Sequence, residues 1–525
     1  MINISETAEQ KRIGRVALGD MVHRSAQRAG DHIALIDGDE HLSYTELDVQ
    51  SSRFGHFLRS AFPAGGQIAT LCANSAEFVV AINGIHKAGN VWVPVNIMLG
   101  AEEIGYILRH AETTAIVADE EVCQEPKMAA MLEELGLPLI VTRAGGETGG
   151  AARAFSVVLR GQPDTLPEVE IDAQRPALIM YTSGTTGQPK GVVHSHGSVH
   201  CALIANIANF GYRQDDVVTC LLPLFHCGQH NAAAAALAAG ASIVISRGFN
   251  PAQLIADISA QRISMVIGLP MMYRATLALP AAASADFSSV RRCVYAMAPM
   301  PQELIAEIRA RICSDLMLVT GQTEIYPLTM IYRPGAEGGQ SANYWGVSSP
   351  IVETAIMDDD GRLLPQGEVG EIVHRGPNVM LGYFKDPEAT AEVQKFGWHH
   401  TGDIGRFDAC GQMQFLDRKK DLIKTGGENV ASIKVESTIL GHPAVAGAAA
   451  IGIPHPHWDE AVCAVVVLKP DVPCSEAELE TWCRERLGRF EIPKAIRFVT
   501  ELPTTATGKL RKVALRREFE GLFIG

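Results

Sequence analysis

Apolar runs of strand length alternate with helix-length amphipathic segments through the first four hundred residues. Residues 67–72 form an apolar run, 76–88 carry a helical pattern, and 91–95 are apolar again; the rhythm returns at 177–180, 264–267 and 316–319. This alternation predicts α/β layers around mainly parallel sheets. The alanine-rich stretch 232–245 is broken by Gly240 and Ser242, too short and too weakly apolar to cross a bilayer. It predicts a close-packed helix running into a strand at 242–245. From 345 to 417 the texture changes to short strands among Gly, Pro and Asp, with candidates at 354–357, 370–374 and 412–415. A charged stretch at 417–421 then precedes a helix at 435–440, strands at 445–453 and 461–468, and a helix at 476–487, which together make a small α+β unit. The natural cut lies at 417–421.

Composition narrows the class. A chain of 525 residues is longer than one core usually supports, so two or more domains are expected. The formal charge of -14 argues against a surface built for nucleic acid or anionic lipid, while leaving one local nucleotide pocket open. Eleven cysteines without a CxxC pair favour reduced thiols over a disulfide frame or zinc site. Residues 1–15 lack the apolar core of a secretory signal. The expectation is a cytoplasmic protein with no membrane span; peripheral membrane contact and a homodimer stay open.

Chemistry first shows at residues 181–191, Tyr-Thr-Ser-Gly-Thr-Thr-Gly-Gln-Pro-Lys-Gly. Gly184, Gly187 and Gly191 allow close backbone approach to an anion, Thr182, Ser183, Thr185 and Thr186 add hydroxyls, and Lys190 adds a mobile charge. Walker A spacing is absent: Lys190 precedes Gly191, not Ser or Thr. A P-loop kinase or GTPase is therefore disfavoured. A flexible surface loop has the same composition, but the apolar run 177–180 reads as a buried strand feeding the loop, and an apolar pattern resumes after Lys190.

Four further segments complete the picture: Thr320-Gly321-Gln322-Thr323-Glu324, Trp398-His399-His400-Thr401-Gly402-Asp403, Asp417-Arg418-Lys419-Lys420-Asp421 and Thr505-Ala506-Thr507-Gly508-Lys509. Each alone is weak. In this order and spacing they resemble the adenylate-forming superfamily, in its acyl-CoA synthetase branch, over nearly the whole chain. The resemblance implies an N-terminal domain, 1–417, of two doubly wound mainly parallel sheets plus a β-rich barrel-like part. A small mobile α+β domain, 418–525, follows a hinge near Lys420. It also implies ATP and CoA as co-substrates and Mg²⁺ on Glu324. The 182–187 loop and Lys190 would hold the β- and γ-phosphates, and Thr323 would contact the α-phosphate. Ala298, Pro299, Thr320, Gly321 and Gln322 would border the nucleotide, and Asp403 and Arg418 would reach the ribose. Lys509 would bridge the carboxylate and the α-phosphate, and Gly426 and Gly427 would line the thiol tunnel.

The resemblance also bears on the acid. Thr320 stands where many relatives place an aromatic residue against adenine. Pro223-Leu224-Phe225-His226 resembles the acyl-CoA synthetase version of its motif, in which His226 borders the acyl pocket, and no aspartate follows to pair with an amino group. His226 is counted with Thr323, Glu324 and Lys509 as catalytic. Cys227, Gly228, Gly268, Ala296 and Met297 would line the acyl pocket, small or apolar positions without a cation for a second carboxylate. A medium- or long-chain fatty acid leads, with an aryl or arylpropenoic acid second. An acyl-AMP ligase serving a carrier protein and a non-catalytic nucleotide- or acyl-binding paralogue are the other readings.

Overall fold

The structure, a computed structural model, describes residues 13–144, 152–182, 188–296, 300–335, 343–504 and 510–523. Two compact units emerge: residues up to Thr354 together with His374–His399, and Ala355–Val373 together with residues from His400 onward.

The first unit contains two large sheets. One runs, strand by strand, Gly382–Tyr383, β2 (Lys190–Ser195), β1 (Pro176–Thr182), Val91–Pro94, Gln67–Leu71, Thr113–Asp119, Leu139–Thr142, Ala152–Ala154. From β1 outward the pairing is parallel, whereas β1 and β2 form an antiparallel hairpin with Thr182 opposite Lys190. Val91–Pro94 is buried at all four positions, as expected for a strand covered on both faces. The other sheet orders Glu40–Ser43, Ile33–Asp37, Ser242–Ile245, Val217–Cys220, Met265–Gly268, Arg292–Ala296, β3 (Leu316–Gln322), β4 (Ile325–Tyr332) and Tyr344–Ser348 within this unit. Its centre is parallel, and β3 turns back antiparallel into β4.

Four helices matter for the site: α1 (Gly19–Ala29), α2 (Ala76–Ala88), α3 (His196–Phe210) and α4 (Cys227–Ala239). Helix α2 is apolar nearly all round and buried along almost its whole length. Its start is fixed by Ser75, whose hydroxyl accepts from Phe78 N at 3.1 Å. Helix α4 ends at Gly240, whose φ of 92° suits a residue without Cβ. It begins at Cys227, five residues before the apolar stretch that predicted it. Its first turns are polar yet buried because their side chains have partners: Gln229 Oε1 accepts from Leu222 N at 3.0 Å, and His230 and Asn231 bond to β4.

In the second unit, the strands Gly370–Arg375, β5 (His399–Phe407) and β6 (Met413–Arg418) lie in that order, each entering or lying within it. Beyond them a five-stranded sheet, centred on Val445–His455 and Asp459–Leu468, packs with helices Ser432–Leu440, Glu476–Arg484 and Lys512–Phe519. The α+β character at the C-terminal end follows the sequence, with the first helix starting three residues earlier than its apolar pattern and the second ending at Arg484.

Candidate functional site

The β1–β2 hairpin carries the phosphate-loop motif. Thr182 and Lys190 face each other at its mouth, so the intervening loop is closed by backbone pairing. Ser183, Gly184, Thr185, Thr186 and Gly187 lie outside the described residues, as do Met297, Ala298, Pro299 and Lys509. Lys190 Nζ lies 3.6 Å from Asp386 and 5.1 Å over the Tyr383 ring, two-thirds shielded from solvent. The Tyr383 hydroxyl donates to Glu324 Oε1 at 3.0 Å. Burial, reinforced by the Glu324 charge, pushes that phenol above its ordinary range, so it stays a neutral donor. Lys190, Tyr383 and Glu324 thus form one connected set. Tyr383 escaped the sequence reading; its signal is the Gly382–Tyr383 strand that adds to the edge of β2.

Thr323 and Glu324 form the two-residue turn between β3 and β4, closed by the Gln322–Ile325 pair. Gly321 is required there by close approach: a Cβ would sit 2.6 Å from Pro327 Cβ. Buried polar side chains and backbone groups hold the turn from several sides. His194 Nε2 donates to the Thr323 carbonyl at 2.6 Å, Met380 N to the Glu324 carbonyl at 2.9 Å, and Asn206 Nδ2 to the Pro327 carbonyl at 3.2 Å. Asn231 Nδ2 reaches the same Pro327 oxygen, and the Tyr326 hydroxyl pairs with His230 Nδ1. Asn378 brackets the Tyr326 backbone, accepting from its N at 3.0 Å and donating to its carbonyl at 2.9 Å. Burial lowers His194 to about 4 and His230 to about 3, so both are neutral near pH 7. Because a carbonyl only accepts, His194 must carry its proton on Nε2. Each such bond contributes about 1 kcal/mol, and stranding one of these buried groups costs about 1–3 kcal/mol. The turn is therefore a preorganised element.

Two of the predicted acyl positions, Gly268 and Ala296, lie at the carboxyl ends of strands in one sheet. Gly268 and Ala296 end neighbouring parallel strands, and Ala296 pairs with Val319 on β3. In open α/β sheets the carboxyl ends of strands are where ligands bind. His226 is the residue before α4, its imidazole lowered by burial; Cys227 and Gly228 open the helix. Cys227 Sγ lies 3.6 Å from Thr323 Oγ1. Burial raises the Cys227 thiol to about 11, which keeps it protonated and unsuited to nucleophilic attack. Thr320 spends its hydroxyl on Thr329 Oγ1 at 3.1 Å.

In the second unit, register places Asp403 on β5 opposite Arg418 on β6, with Arg418 Nε 3.8 Å from Asp403 Oδ1. Asp403 is buried, and Arg418 is about one-third exposed. Glu371 supports this corner, accepting from Gly402 N and from Lys419 Nζ, each at 3.0 Å. Burial alone would raise Glu371; His400, Lys419 and the Gly402 amide outweigh it and hold the carboxyl below its ordinary range. Lys420 is exposed, and its carbonyl accepts from Arg516 Nη2 at 3.2 Å. Gly426 and Gly427 have φ of 60° and 86°. Gly426 N donates to the Trp458 carbonyl at 2.9 Å, and that indole lies 3.7 Å from where a Gly426 Cβ would be. The sequence reading missed Trp458 and Glu371, neither of which falls in a quoted motif.

A family model described as AMP-binding enzyme matches residues 22–384, and one described as AMP-binding enzyme C-terminal domain matches 434–509. The chain belongs to the AMP-binding enzyme family.

Similar proteins within that reach include a feruloyl-CoA synthase from an Amycolatopsis species, 32% identical over 96% of this chain and 99% of its own length. A long-chain-fatty-acid–CoA ligase of Mycobacterium tuberculosis is 31% identical over 92% of this chain and 94% of its own. Among solved structures, ATP-bound MatB from Rhodopseudomonas palustris superposes with a TM-score of 0.86 at 26% identity, covering 96% of this chain and 99% of that one. The o-succinylbenzoate CoA synthetase of Bacillus subtilis gives 0.83 at 27%, covering 95% and 98%. The α/β architecture with a large N-terminal and a small C-terminal domain is thus the architecture of AMP-binding enzymes. No helix among the described residues is long and apolar enough to cross a membrane.

Proposed function

We propose that this AMP-binding enzyme is an ATP-dependent acyl-CoA ligase. A carboxylate attacks the α-phosphate of ATP, giving acyl-AMP and pyrophosphate; CoA thiol then displaces AMP to give acyl-CoA. The clamped Thr323–Glu324 turn, joined to Lys190 through Tyr383, is the observation that carries this reading. Two anions must meet in the first step, so catalysis rests on positioning and on compensating charge.

In this assignment Lys190 and the 182–187 loop hold the β- and γ-phosphates, and Thr323 holds the α-phosphate. Lys509 bridges the two reacting anions. Asp403 accepts from the ribose hydroxyls, with Arg418 beside it. Glu324 fits Mg²⁺, since Tyr383 occupies one carboxylate oxygen and leaves the other for a cation that also takes phosphate oxygens and water. Bound there, the ion would offset phosphate charge. Among the described residues no cluster of three acidic, His or Cys side chains could hold it unaided, which suits a cation delivered with the nucleotide. A hinge at Lys420 would let the small domain present Lys509 and then Gly426, Gly427 and Trp458 to the reaction.

For the acid, the aryl or arylpropenoic class moves ahead of fatty acids. Feruloyl-CoA synthases and an indoleacetate–CoA ligase stand among the similar proteins beside a long-chain-fatty-acid–CoA ligase and a fatty acid–[acyl-carrier-protein] ligase. Gly268 and Ala296 carry little or no side chain, which would suit a ring as well as a chain. A screen of pyrophosphate release over aryl, arylpropenoic and fatty acids, with and without CoA, tests this. CoA-dependent acyl-CoA formation with an aryl acid is expected. Release without any CoA product would favour a carrier-protein acceptor, and no release with any acid would favour a non-catalytic binder.

A further inference from the structure

Helices α1, α2, α3 and α4 line a partly open cavity of about 40 Å³, with Met21, Ile82, His86, Leu203, His230 and Leu237 among its lining residues. The lining is apolar except for the imidazoles and the neighbouring Asn83. His230 has its Nδ1 engaged by Tyr326. His86 is 3% exposed, and neither of its ring nitrogens has a hydrogen-bond partner. Nearby polar groups are already committed: Trp92 Nε1 donates to Thr70 Oγ1 at 2.9 Å, and His196 Nδ1 accepts from Leu18 N at 3.3 Å. Burial holds the His86 imidazole well below its ordinary range, so it presents one donor and one acceptor. Two buried polar atoms left unmet destabilise the fold until a ligand or water satisfies them.

The cavity also has a position along the active site's own helix. His230, Ala233, Ala234 and Leu237 recur at helical spacing on α4, whose first residue, Cys227, touches Thr323. At about 1.5 Å per residue these positions lie about 5–15 Å along the axis from Cys227. That span matches an arylpropenoyl group or a chain of similar length. The volume is above the ~10–15 Å³ that admits one water and well below the ~150 Å³ of a cavity that takes a benzene ring, so it suits a terminal group.

Resting on the ligase reading, we propose that this cavity receives the far end of the acyl group and that His86 is a specificity residue. It selects acids with a hydroxyl, methoxy or carbonyl oxygen at the end opposite the carboxylate. A site built to bond such an oxygen leaves buried groups unpaired when a plain hydrocarbon binds, which is the strong direction of discrimination.

The test uses the full chain and two matched pairs of acids, 4-hydroxycinnamate with cinnamate and 8-hydroxyoctanoate with octanoate. Pyrophosphate release is measured for wild type, His86→Leu and His86→Gln. Wild type should prefer the oxygenated member of at least one pair by about tenfold or more in kcat/KM. His86→Leu should erase that ratio through KM, and His86→Gln should keep part of it. His86→Leu removes two unmet polar atoms, so its melting temperature should not fall. Absence of discrimination in wild type, or an unchanged ratio in His86→Leu, would overturn the assignment and leave the cavity a water site. Turnover with unaltered ratios sinks the cavity assignment alone; no turnover with any acid sinks the ligase reading and this assignment with it.

Discussion

The Thr323–Glu324 turn and the 417–421 segment are both charged or polar stretches at the ends of sheet strands, but they are held in opposite ways. Around the turn, His194, Asn206, His230, Asn231 and Asn378 are buried, uncharged and bonded to backbone or phenol. Around 417–421, Lys419 pairs with exposed Asp359 as well as with buried Glu371, and Arg516 with part-exposed Asp421. Only Asp417 in that segment is deeply buried, accepting from Ser432 Oγ at 2.7 Å. Buried neutral bonds resist rearrangement because breaking one strands a polar group. Exposed ion pairs contribute about 0–1 kcal/mol and exchange partners at little cost. The first arrangement suits a fixed reaction centre, and the second suits a hinge.

The contrast can be broken at several points. Lys509→Ala should slow acyl-AMP formation by about 10²–10³-fold, the scale of one lost transition-state donor, while largely sparing CoA transfer from supplied acyl-AMP. Rapid-quench assays of the two half-reactions separate these; equal loss of both would refute the bridging role. His194→Leu strands the Thr323 carbonyl. It should cost about 1–3 kcal/mol in urea unfolding and lower kcat for adenylation more than it raises the KM for ATP. A purely structural role would lower stability without that kinetic split.

Acid should attack the clamped region. His194 and His230 have folded-state values of about 4 and 3, below the ordinary 6.5, so the unfolded chain binds protons first as pH falls. Their contribution is fully present above pH 6.5 and is lost as pH drops toward 4 for His194 and toward 3 for His230, at about 1.4 kcal/mol per pH unit per histidine. The melting temperature should fall across that window, and His230→Phe should flatten the slope; a flat profile in wild type would contradict the neutral clamp. The smallest effect is expected at Trp458. Trp458→Ala should slow thioester formation by a few-fold, as for a lost side-chain contact, and leave adenylation unchanged. Equal slowing of both half-reactions would remove Trp458 from the thiol path.

Much of this was legible in the chain. The apolar runs at 67–72, 91–95 and 177–180 are strands because buried parallel strands need little polarity, and the motifs at 320–324 and 417–421 stand out by composition. The clamp was not legible. Gln229, His230 and Asn231 look like solvent-facing residues, and only their partners at Leu222, 7 residues away, and on β4, 96 residues away in the chain, explain their burial. Tyr383 was hidden for the same reason: its partner Glu324 is 59 residues away. His86 sits inside an apolar helical pattern, where one histidine carries no signal until its nitrogens are seen to lack partners.

The most direct test of the account is exchange of labelled pyrophosphate into ATP, dependent on acid and independent of CoA, followed by identification of the products once CoA is added. The account predicts exchange with at least one aryl or fatty acid, its loss in Glu324→Gln, and AMP with acyl-CoA as products. No exchange with any acid, or ADP and phosphate as products, would contradict it.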